Sequence, residues 1–377
     1  MRPLVVLFSG VTWDGVRGSE RHLTEALSEY TDILWVDPPV SPMTPQRYRG
    51  IGSTGRSWQP SVREAAPGVT RLTPIALPGW TRPGIRATTW PLVRFQVRRT
   101  LSRRPHAVIA CSFDDVLGRW GSARNVLYGT DDWVSGASLM GQPTDRLRAE
   151  ERATLARTDV VLAVTPELAA RWQEFGADPV VVPNGCDTAA YHGIEDVPPA
   201  TLPEGFPAEV AGVVGQLTDR IDISYLEAVA DTGIGLLLVG PRDPRWEPSR
   251  WPALEACPNV HHVGPVPFAE LPQWLRCMDV GLTPYADTAF NRASFPLKTL
   301  EYLAAGRPVV GTALPATVRL ASESEDVVAV QELSGFADAV VRAAKDKSDG
   351  RARRQAFAEK HSWSARAAVV AQVIGLR

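Results

Sequence analysis

Several features that mark specialised classes of protein are scarce or missing in this sequence of 377 residues. Its four cysteines, at positions 111, 186, 257 and 277, form no Cys-x-x-Cys pair and have no histidine at ligand spacing. We therefore expect neither a zinc site nor a disulfide framework, and a reducing cytoplasm is the simplest setting. No uninterrupted apolar run reaches the roughly 18 residues of a membrane-spanning helix, and the short apolar start predicts a first strand rather than a signal peptide. The net charge of −2 gives no general attraction to nucleic acid.

Lysine is also scarce, because only Lys298, Lys345, Lys347 and Lys360 are present among the many arginines. Three of them lie in polar sequence toward the end of the chain, whereas Lys298 lies in a mostly apolar stretch. A lysine in such a place is a candidate functional residue, with chance placement as the alternative. The sequence has no Gly-x-Gly-x-x-Gly motif, which argues against a nicotinamide dinucleotide site.

The chain is too long for one ordinary core and fits two domains of typical size. Short apolar strand patterns alternate with amphipathic helical patterns, and this rhythm predicts parallel sheets with helices on both faces. We expect two Rossmann-like, doubly wound α/β domains, 1–185 and 209–355, facing across a cleft. A Pro-rich linker at 186–208 joins them, and a helix at 356–377 packs back toward the first domain. Ligands of such sheets bind beyond the carboxyl ends of the strands, which places the site in the cleft.

The most informative segment is ASFPLKTLEYLAAGRPVVG at residues 293–311. Pro296 can open a helix over 297–305, and Gly306 is a plausible cap at its end. Lys298 and Glu301 are three residues apart, so they share a face of the first turns. The helix N-terminus and the lysine suit a diphosphate, and a carboxylate one turn later suits a ribose diol. The alternative is an i,i+3 salt bridge on a solvated helix.

This segment resembles the donor-site signature of GT-B glycosyltransferases of the family-4 type. Within that group it is similar to the bacterial surface-polysaccharide branch, which includes teichuronic-acid-type transferases. Further stretches match along most of the chain: DDW at 131–133, VPNGCD at 182–187, LVGP at 238–241, NVHHVG at 259–264 and DVGLTPY at 279–285. Each stretch is weak evidence alone, and their order and spacing make the match strong.

The resemblance implies a GT-B fold and transfer of a sugar from a nucleotide sugar, with retention of anomeric configuration, no metal and no other cofactor. The first domain would bind the acceptor and the second the donor. Lys298 would contact the donor diphosphate and Glu301 the ribose, and Arg220 is our candidate for a second diphosphate clamp. The alternative for Arg220 is a surface arginine in a loop. The other predicted donor contacts are Gly18, Gly215, Gly240, Val263, Tyr285, Asn291, Ser294, Phe295, Pro296 and Leu297.

Two positions depart from the family pattern. Many members carry a second glutamate eight residues before Glu301, near the donor sugar, where this chain has Ala293. Asn291 and Ser294 are the candidates to replace it. An arginine often follows the glycine of the first strand of the second domain, where this chain has Gln216.

In the first domain, the GSERHL segment that begins at Gly18 resembles the glycine loop of the family. A glycine there lets backbone approach a ligand, and the following helix N-terminus can face phosphates. Gly15 is the alternative pivot, and an ordinary strand–helix turn is the structural alternative. Trp13 and His22 are predicted acceptor contacts.

Asp131 and Asp132 follow a strand at the expected cleft edge, next to Trp133, and these three are the remaining predicted acceptor contacts. In an inverting enzyme one aspartate is the general base. In a retaining enzyme the leaving phosphate itself takes the acceptor proton, and Lys298 and Arg220 stabilise its charge. The structural alternative for the aspartates is to cap the next helix.

Residues 65–113 contain no acidic residue and eight arginines. Trp90, Val93, Val97 and Leu101 can form an apolar stripe within the Arg-rich 82–104 segment. Such a helix can lie on an anionic membrane, which suits a lipid-linked acceptor. The alternative is a helix packed on the core with a solvated basic face.

The leading hypothesis is therefore a glycosyltransferase acting on a glycan, lipid-linked or small natural-product acceptor. It would be cytoplasmic or peripheral at the inner face of the membrane, with no nucleic-acid partner. One alternative is a nucleotide-sugar epimerase of the same fold, although no clear acidic and histidine set for that chemistry is present. The other is a nucleotide-binding protein with a degenerate donor site, to which Ala293 and Gln216 would point.

Overall fold

The computed structural model describes residues 2–15, 17–44, 59–82, 84–346 and 349–377. The chain divides into two compact units, of which the first is Met1–Asn184 with Trp363–Arg377 and the second is Gly185–Ser362. The division falls one residue before the predicted end of the first domain. Residues 186–208, predicted as a linker, belong to the second unit, where Tyr191 and Ile194 are buried in its core.

The first unit contains one mixed sheet. Its strands are β1 (Leu4–Phe8), β2 (Asp32–Val36), β3 (Ser61–Ala66), β4 (Val69–Thr73), β5 (Ala107–Ala110), β6 (Arg124–Gly129), β7 (Val160–Ala163) and β8 (Pro179–Val181). They are arranged in the order β3-β4-β2-β1-β5-β6-β7-β8. Every neighbouring pair is parallel except β3 and β4, which form an antiparallel hairpin at the edge. The central strands are apolar throughout because helices cover both of their faces.

The second unit contains a parallel sheet. Its strands are β9 (Val210–Val214), β10 (Gly235–Val239), β11 (Val260–Gly264), β12 (Val280–Thr283), β13 (Val309–Thr312) and β14 (Val327–Val330). They are arranged in the order β11-β10-β9-β12-β13-β14. The two sheets confirm the prediction of two doubly wound α/β units. In each sheet, successive strands are first added on one side of the first strand and then on its other side. This switch lies beside β1 in the first unit and beside β9 in the second.

The helices of the first unit are α1 (Ser19–Leu27), α2 (Ile85–Thr100), α3 (Thr144–Leu155), α4 (Pro166–Gln173) and, from the end of the chain, α13 (Trp363–Val373). Those of the second unit are α5 (Ile223–Ala230), α6 (Trp251–Glu255), α7 (Leu271–Arg276), α8 (Ala289–Ala293), α9 (Leu297–Ala304), α10 (Pro315–Glu323), α11 (Leu333–Lys345) and α12 (Arg351–Lys360). Helix α13 packs on α1 in the first unit, and Trp363, Ala367 and Val370 lie in the core of that unit.

Helix α2 carries the apolar stripe of the Arg-rich 82–104 segment. Pro83 of that segment lies outside the described residues. Trp90, Val93 and Val97 are each at most 7% exposed, so the stripe packs into the core of the first unit. The core-packed alternative is therefore correct for this face. In the part of the chain that the structure describes, no helix is both long and apolar enough to cross a bilayer.

Tyr302 fixes α9 against the sheet of the second unit. Its ring is fully buried and fills the space beside Gly281 of β12, where a Cβ atom would lie 2.2 Å from the ring. Its hydroxyl accepts a hydrogen bond of 2.7 Å from the backbone N–H of Val214, the last residue of β9. At the other end of α9, Gly306 has a φ of +75° and ends the helix, as predicted.

We expect Tyr302→Phe to destabilise the second unit by about 1–3 kcal/mol, because the buried N–H of Val214 would lose its acceptor. Urea unfolding followed by circular dichroism measures this. Tyr225→Phe on α5 is the matched control, since the Tyr225 ring is partly exposed and packs on Phe336, and should cost no more than about 0.5 kcal/mol. Equal stability of the two variants would contradict the anchoring role of the Tyr302 hydroxyl.

Candidate active site

The switch point of the second sheet lies between β9 and β12, where ligands of open α/β sheets bind. Two glycines end the strands there, Gly215 after β9 with a φ of +136° and Gly240 after β10 with a φ of +142°. The Gly215 N–H donates to Val239 O at 2.9 Å, and a Cβ atom at Gly240 would lie 1.9 Å from Gly215 O. Both positions therefore require glycine, and the floor of the switch point is bare backbone.

Lys298 and Glu301 lie on the first turns of α9, beside this floor. The Lys298 Nζ lies 2.6 Å from Glu301 Oε2, and a Cβ atom at Gly215 would lie 3.8 Å from the Lys298 Cε. The alternative predicted from the sequence, an i,i+3 ion pair, is thus present, but both side chains are partly buried rather than solvated. Burial disfavours charge on Lys298, yet the Glu301 carboxylate raises the pKa of Lys298 above its ordinary value.

Arg220 lies in the loop after β9 and is held by Asn291. The Arg220 Nε donates to Asn291 Oδ1 at 3.1 Å, and Asn291 Nδ2 donates to the carbonyl oxygens of Arg220 and Ala286. The guanidinium also lies over the rings of Tyr285, at 5.4 Å, and Phe290, at 5.0 Å. Asn291 is 3% exposed and its polar atoms are bonded to the Arg220 loop, so its replacement of the missing sugar-binding glutamate stays a prediction.

Tyr285 links the two cations. Burial raises the pKa of its hydroxyl, and the nearby charges of Arg220 and Lys298 act in the opposite direction. Arg220, Tyr285 and Lys298 therefore form one electrostatic group at the switch point.

The remaining predicted donor residues of this unit lie on β11 and around the start of α9. Val263 lies near the end of β11, Ser294 and Phe295 connect α8 to α9, and Pro296 precedes the first residue of α9, Leu297. Ser294 is 5% exposed, and its hydroxyl donates to Phe290 O at 2.8 Å, which leaves little of it for a sugar. Ala293 is 6% exposed, so this departure from the family pattern places a methyl group in the interior.

Tyr191 is a residue of this site that sequence reasoning missed. It lies in a short 3₁₀ turn, Thr188–Tyr191, after the matched VPNGCD segment and is 1% exposed. Burial and the neighbouring Glu301 carboxylate raise the pKa of Tyr191 well above its ordinary value. A single tyrosine in a polar turn gives no sequence signal, because only the tertiary fold brings it beside Glu301.

The switch point of the first unit lies between β1 and β5 and contains a buried carboxyl group that the sequence did not single out. Glu20 on α1 accepts hydrogen bonds from the Ser9 hydroxyl and from the Gly10 N–H, the latter at 2.9 Å. It is 8% exposed, and burial raises its pKa to about 7, with the nearby Asp131 charge also acting to raise it. A glutamate in the first turn of a helix is common, so its burial could not be foreseen.

Asp131 and Asp132 have different surroundings. Asp132 is 3% exposed and accepts from the Ser135 N–H and hydroxyl, and its Oδ1 also lies 3.0 Å from an Arg171 nitrogen. Asp132 therefore caps the following turn, which is the structural alternative given above, and its role in acceptor binding and catalysis stays a prediction. Asp131 is partly exposed and lies near Glu20, at the carboxyl end of β6.

The predicted aromatic contacts also differ in exposure. Trp13 is 5% exposed and packs edge-to-face on Trp35 in the core, and its contact with an acceptor stays a prediction. His22 stacks on Trp363 of α13 with an interplanar angle of 1°. Trp133 is partly exposed and packs on Phe113 at 4.7 Å.

Gly18 precedes α1 in extended conformation, so its φ does not require glycine.

Among the described residues, no three His, Cys, Asp or Glu side chains are grouped so that they could hold a metal ion.

Similarities in sequence to known proteins fall in the second unit. Residues 211–346 match the family described as Glycosyl transferases group 1. TuaH of Bacillus subtilis (strain 168), whose name gives it a provisional role as a teichuronic acid biosynthesis glycosyltransferase, is 33% identical over 141 residues. That match spans 37% of this chain and 35% of the relative.

Solved structures match over almost the whole chain. Sucrose-phosphate synthase from Thermosynechococcus elongatus has a TM-score of 0.70 at 20% identity, covering 99% of this chain and 98% of its own. HepE of Anabaena, solved with UDP and glucose, has a TM-score of 0.67 at 15% identity, covering 99% of both chains. The chain therefore has the GT-B fold, as the sequence predicted, and residues 211–346 of its second unit are similar to group 1 glycosyltransferases.

Glu20 generates a prediction about stability and pH. Its pKa is about 7 in the folded chain against an ordinary 4.5, so between these values the folded chain keeps a proton that the unfolded chain has lost. The free energy of unfolding therefore falls as pH rises through this window. Glu20→Gln should remove the loss and stabilise the protein by up to about 3 kcal/mol at about pH 8, with little change at about pH 4. Urea unfolding at the two pH values measures it.

Glu25→Gln is the control on the same helix. Burial opposes charge on Glu25, but its contacts with Arg17 and Arg21 lower its pKa, so this variant should lose stability at neutral pH. If the free energy of unfolding of the Glu20→Gln variant varied with pH as that of the unmodified protein does, the prediction would be wrong. Glu20 would then ionise in the folded chain without loss of stability.

Proposed function

We propose that the protein is a glycosyltransferase that moves a sugar from a nucleotide-sugar donor to a glycan, lipid-linked or small natural-product acceptor. The observation that carries this proposal is the group formed by Lys298, Arg220 and Tyr285 at the glycine floor of the second switch point. Two cations at the end of a bare backbone floor are suited to a diphosphate. The group 1 family match covers this same region.

Donor binding would exchange the internal ion pair for two ligand contacts. Lys298 would turn from Glu301 to the diphosphate, and the Glu301 carboxylate would accept hydrogen bonds from the ribose hydroxyls. The internal pair keeps both partly buried charges compensated until that exchange, since an uncompensated buried charge is costly. Tyr191, which neighbours Glu301, would then limit the positions that the Glu301 carboxylate can adopt.

The transfer step needs charge stabilisation on the leaving diphosphate. As the bond between the anomeric carbon and the phosphate oxygen breaks, the electron pair stays on that oxygen, and Lys298 and Arg220 would stabilise the negative charge. With retention of configuration, the acceptor oxygen would bond to the anomeric carbon on the face that the phosphate leaves, and its proton would pass to the leaving phosphate oxygen. No metal is required in this scheme. Asn291 would keep Arg220 in place through the 3.1 Å contact.

The names of related proteins support narrower choices. HepE was solved with UDP and glucose, which favours uridine as the base to test first. The match to TuaH favours a bacterial surface polysaccharide as the acceptor class. The acceptor would contact Asp131 and Trp133 in the first unit, and the proposed setting is the cytoplasm.

Contact with an anionic membrane would depend on the exposed arginines of the 82–104 segment alone. Its apolar stripe is buried, Arg86 is paired with Glu150, and Arg103 is paired with Asp32. Arg82, Arg98, Arg99 and Arg104 are the exposed cations of the segment that could approach lipid headgroups, although Arg98 already donates to the Arg119 carbonyl oxygen.

We expect Lys298→Ala to lower kcat by about 10²–10³-fold, because one donor to the developing charge is removed. Release of nucleoside diphosphate in the presence of acceptor measures it. Lys345→Ala on the exposed end of α11 is the matched control and should keep full activity. Normal turnover by Lys298→Ala would place the donor diphosphate elsewhere.

A thermal-shift screen with nucleoside diphosphates and nucleotide sugars tests the class of ligand. A donor present at about 100 times its Kd should stabilise the native protein by about 2.7 kcal/mol. An epimerase would convert the donor without an acceptor, whereas a degenerate binding protein would bind it and release no diphosphate. The absence of any shift would count against the donor site as described.

A further inference from the structure

Tyr191 has a buried hydroxyl group that forms no hydrogen bond with any described residue. The side chain is 1% exposed and belongs to the same core cluster as Leu300 and Leu303 of α9. Buried hydroxyl groups in folded proteins normally have a partner, and an exception needs an explanation. Among charged groups, the Glu301 carboxylate has the largest effect on this hydroxyl, so the explanation lies in the donor site.

The Tyr191 hydroxyl and the Glu301 carboxylate are neighbours that do not form a full hydrogen bond. Burial raises the pKa of Tyr191, and Glu301 raises it further through its charge and as an acceptor for the hydroxyl proton. The two groups do not meet in hydrogen-bond geometry, however, since the hydroxyl has no partner among the described residues. A tyrosine with a raised pKa keeps its proton at neutral pH, so Tyr191 can act toward a carboxylate only as a donor.

In the free protein, Glu301 is held by a different donor. The Lys298 Nζ lies 2.6 Å from Glu301 Oε2, and no hydrogen bond to Glu301 Oε1 is formed by the described residues. In donor binding as proposed above, Lys298 turns to the diphosphate, and the partly buried carboxylate then loses its cation. An ionised carboxylate in such surroundings needs a replacement donor, and it has enough lone pairs to accept from that donor and from a ribose diol together.

The Tyr191 ring is held in a fixed position. It ends the 3₁₀ turn Thr188–Tyr191, which follows a segment anchored by a 2.9 Å hydrogen bond from the Cys186 N–H to His361 O. The turn also packs against α9 and α12. A bond between the two groups therefore forms by movement of the flexible Glu301 side chain toward the tyrosine.

We propose that Tyr191 is a positioning residue of the donor site, whose hydroxyl donates to Glu301 once Lys298 has turned to the diphosphate. The new hydrogen bond replaces the lysine and directs the remaining lone pairs of the carboxylate at the 2′ and 3′ hydroxyl groups of the ribose. Tyr191 thereby favours a ribonucleotide over its deoxy forms without contacting the donor itself. This inference rests on the proposed function and adds a residue outside the 211–346 region of the family match.

The test compares UDP with 2′,3′-dideoxy-UDP, which lacks both hydroxyl groups that Glu301 would bind. Isothermal titration calorimetry on the full chain measures both Kd values, and if another base binds more tightly, the same pair of that base is used. Tyr191→Phe should raise the Kd of UDP by about tenfold, as expected for a hydrogen bond to a charged group, and that of the dideoxy form by less than about twofold. The donor KM should rise with the Kd of UDP, while kcat changes by less than about threefold, because Lys298 and Arg220 remain.

Two further variants test whether Tyr191 acts through Glu301. Tyr128→Phe is the matched control and should leave both Kd values unchanged, since Tyr128 of the first unit is also fully buried with no described partner for its hydroxyl. Glu301→Ala should remove the preference for UDP over its dideoxy form. Adding Tyr191→Phe to Glu301→Ala should then change the Kd of UDP by less than about twofold.

Urea unfolding without nucleotide separates this role from a structural one. Because the hydroxyl has no described partner in the free protein, Tyr191→Phe should unfold at the same or a higher urea concentration than the unmodified protein. A lower midpoint would show that the hydroxyl is already bonded before the donor binds, which would overturn the proposal.

The binding results also separate failure of this inference from failure of the proposed function. Equal weakening of UDP and dideoxy-UDP by Tyr191→Phe, or no effect on either, would show that Tyr191 does not position Glu301. The donor site would still stand if Glu301→Ala lost the preference for UDP. If the unmodified protein bound neither UDP nor any other nucleoside diphosphate, the proposed function itself would fail.

Discussion

The arrangement of the second unit depends on the packing of Tyr302 between α9 and the sheet. The ring can lie there only because Gly281 has no side chain, and its hydroxyl holds the last N–H of β9. Lys298 and Glu301 are fixed on the turns just before this anchor. The distance between the lysine and the glycine floor is thus set by the buried packing of Tyr302.

The protonation of the key charged side chains in both units depends on burial as much as on neighbouring charges. In the second unit, Lys298 remains charged in partly buried surroundings because Glu301 is next to it. In the first unit, no cation among the described residues is paired with Glu20, and burial raises its pKa. The second unit is therefore suited to binding negative charge, whereas the first has a carboxyl group that changes its protonation near neutrality. The charge of the nearby Asp131 also acts to raise the pKa of Glu20, so the protonation of Glu20 depends on that charge.

Local patterns predicted those parts of the structure that depend on neighbours in sequence. Most strands of both sheets follow from apolar runs, and the shared face of Lys298 and Glu301 follows from their spacing. The edge hairpin of β3 and β4 was missed because its first strand alternates between exposed and partly buried residues. Asp132 contacts Arg171, 39 residues away in sequence, and Trp13 packs on Trp35. Such contacts between distant residues could not be found from one sequence.

The return of the last helix to the first unit has a consequence for biosynthesis. Trp363, Ala367 and Val370 complete a core whose strands were made at the beginning of the chain. All residues of the second unit leave the ribosome before this helix does, and domains generally fold as units during synthesis. The second unit can therefore fold first, while the surface of α1 in the nascent first unit stays uncovered until α13 has been made.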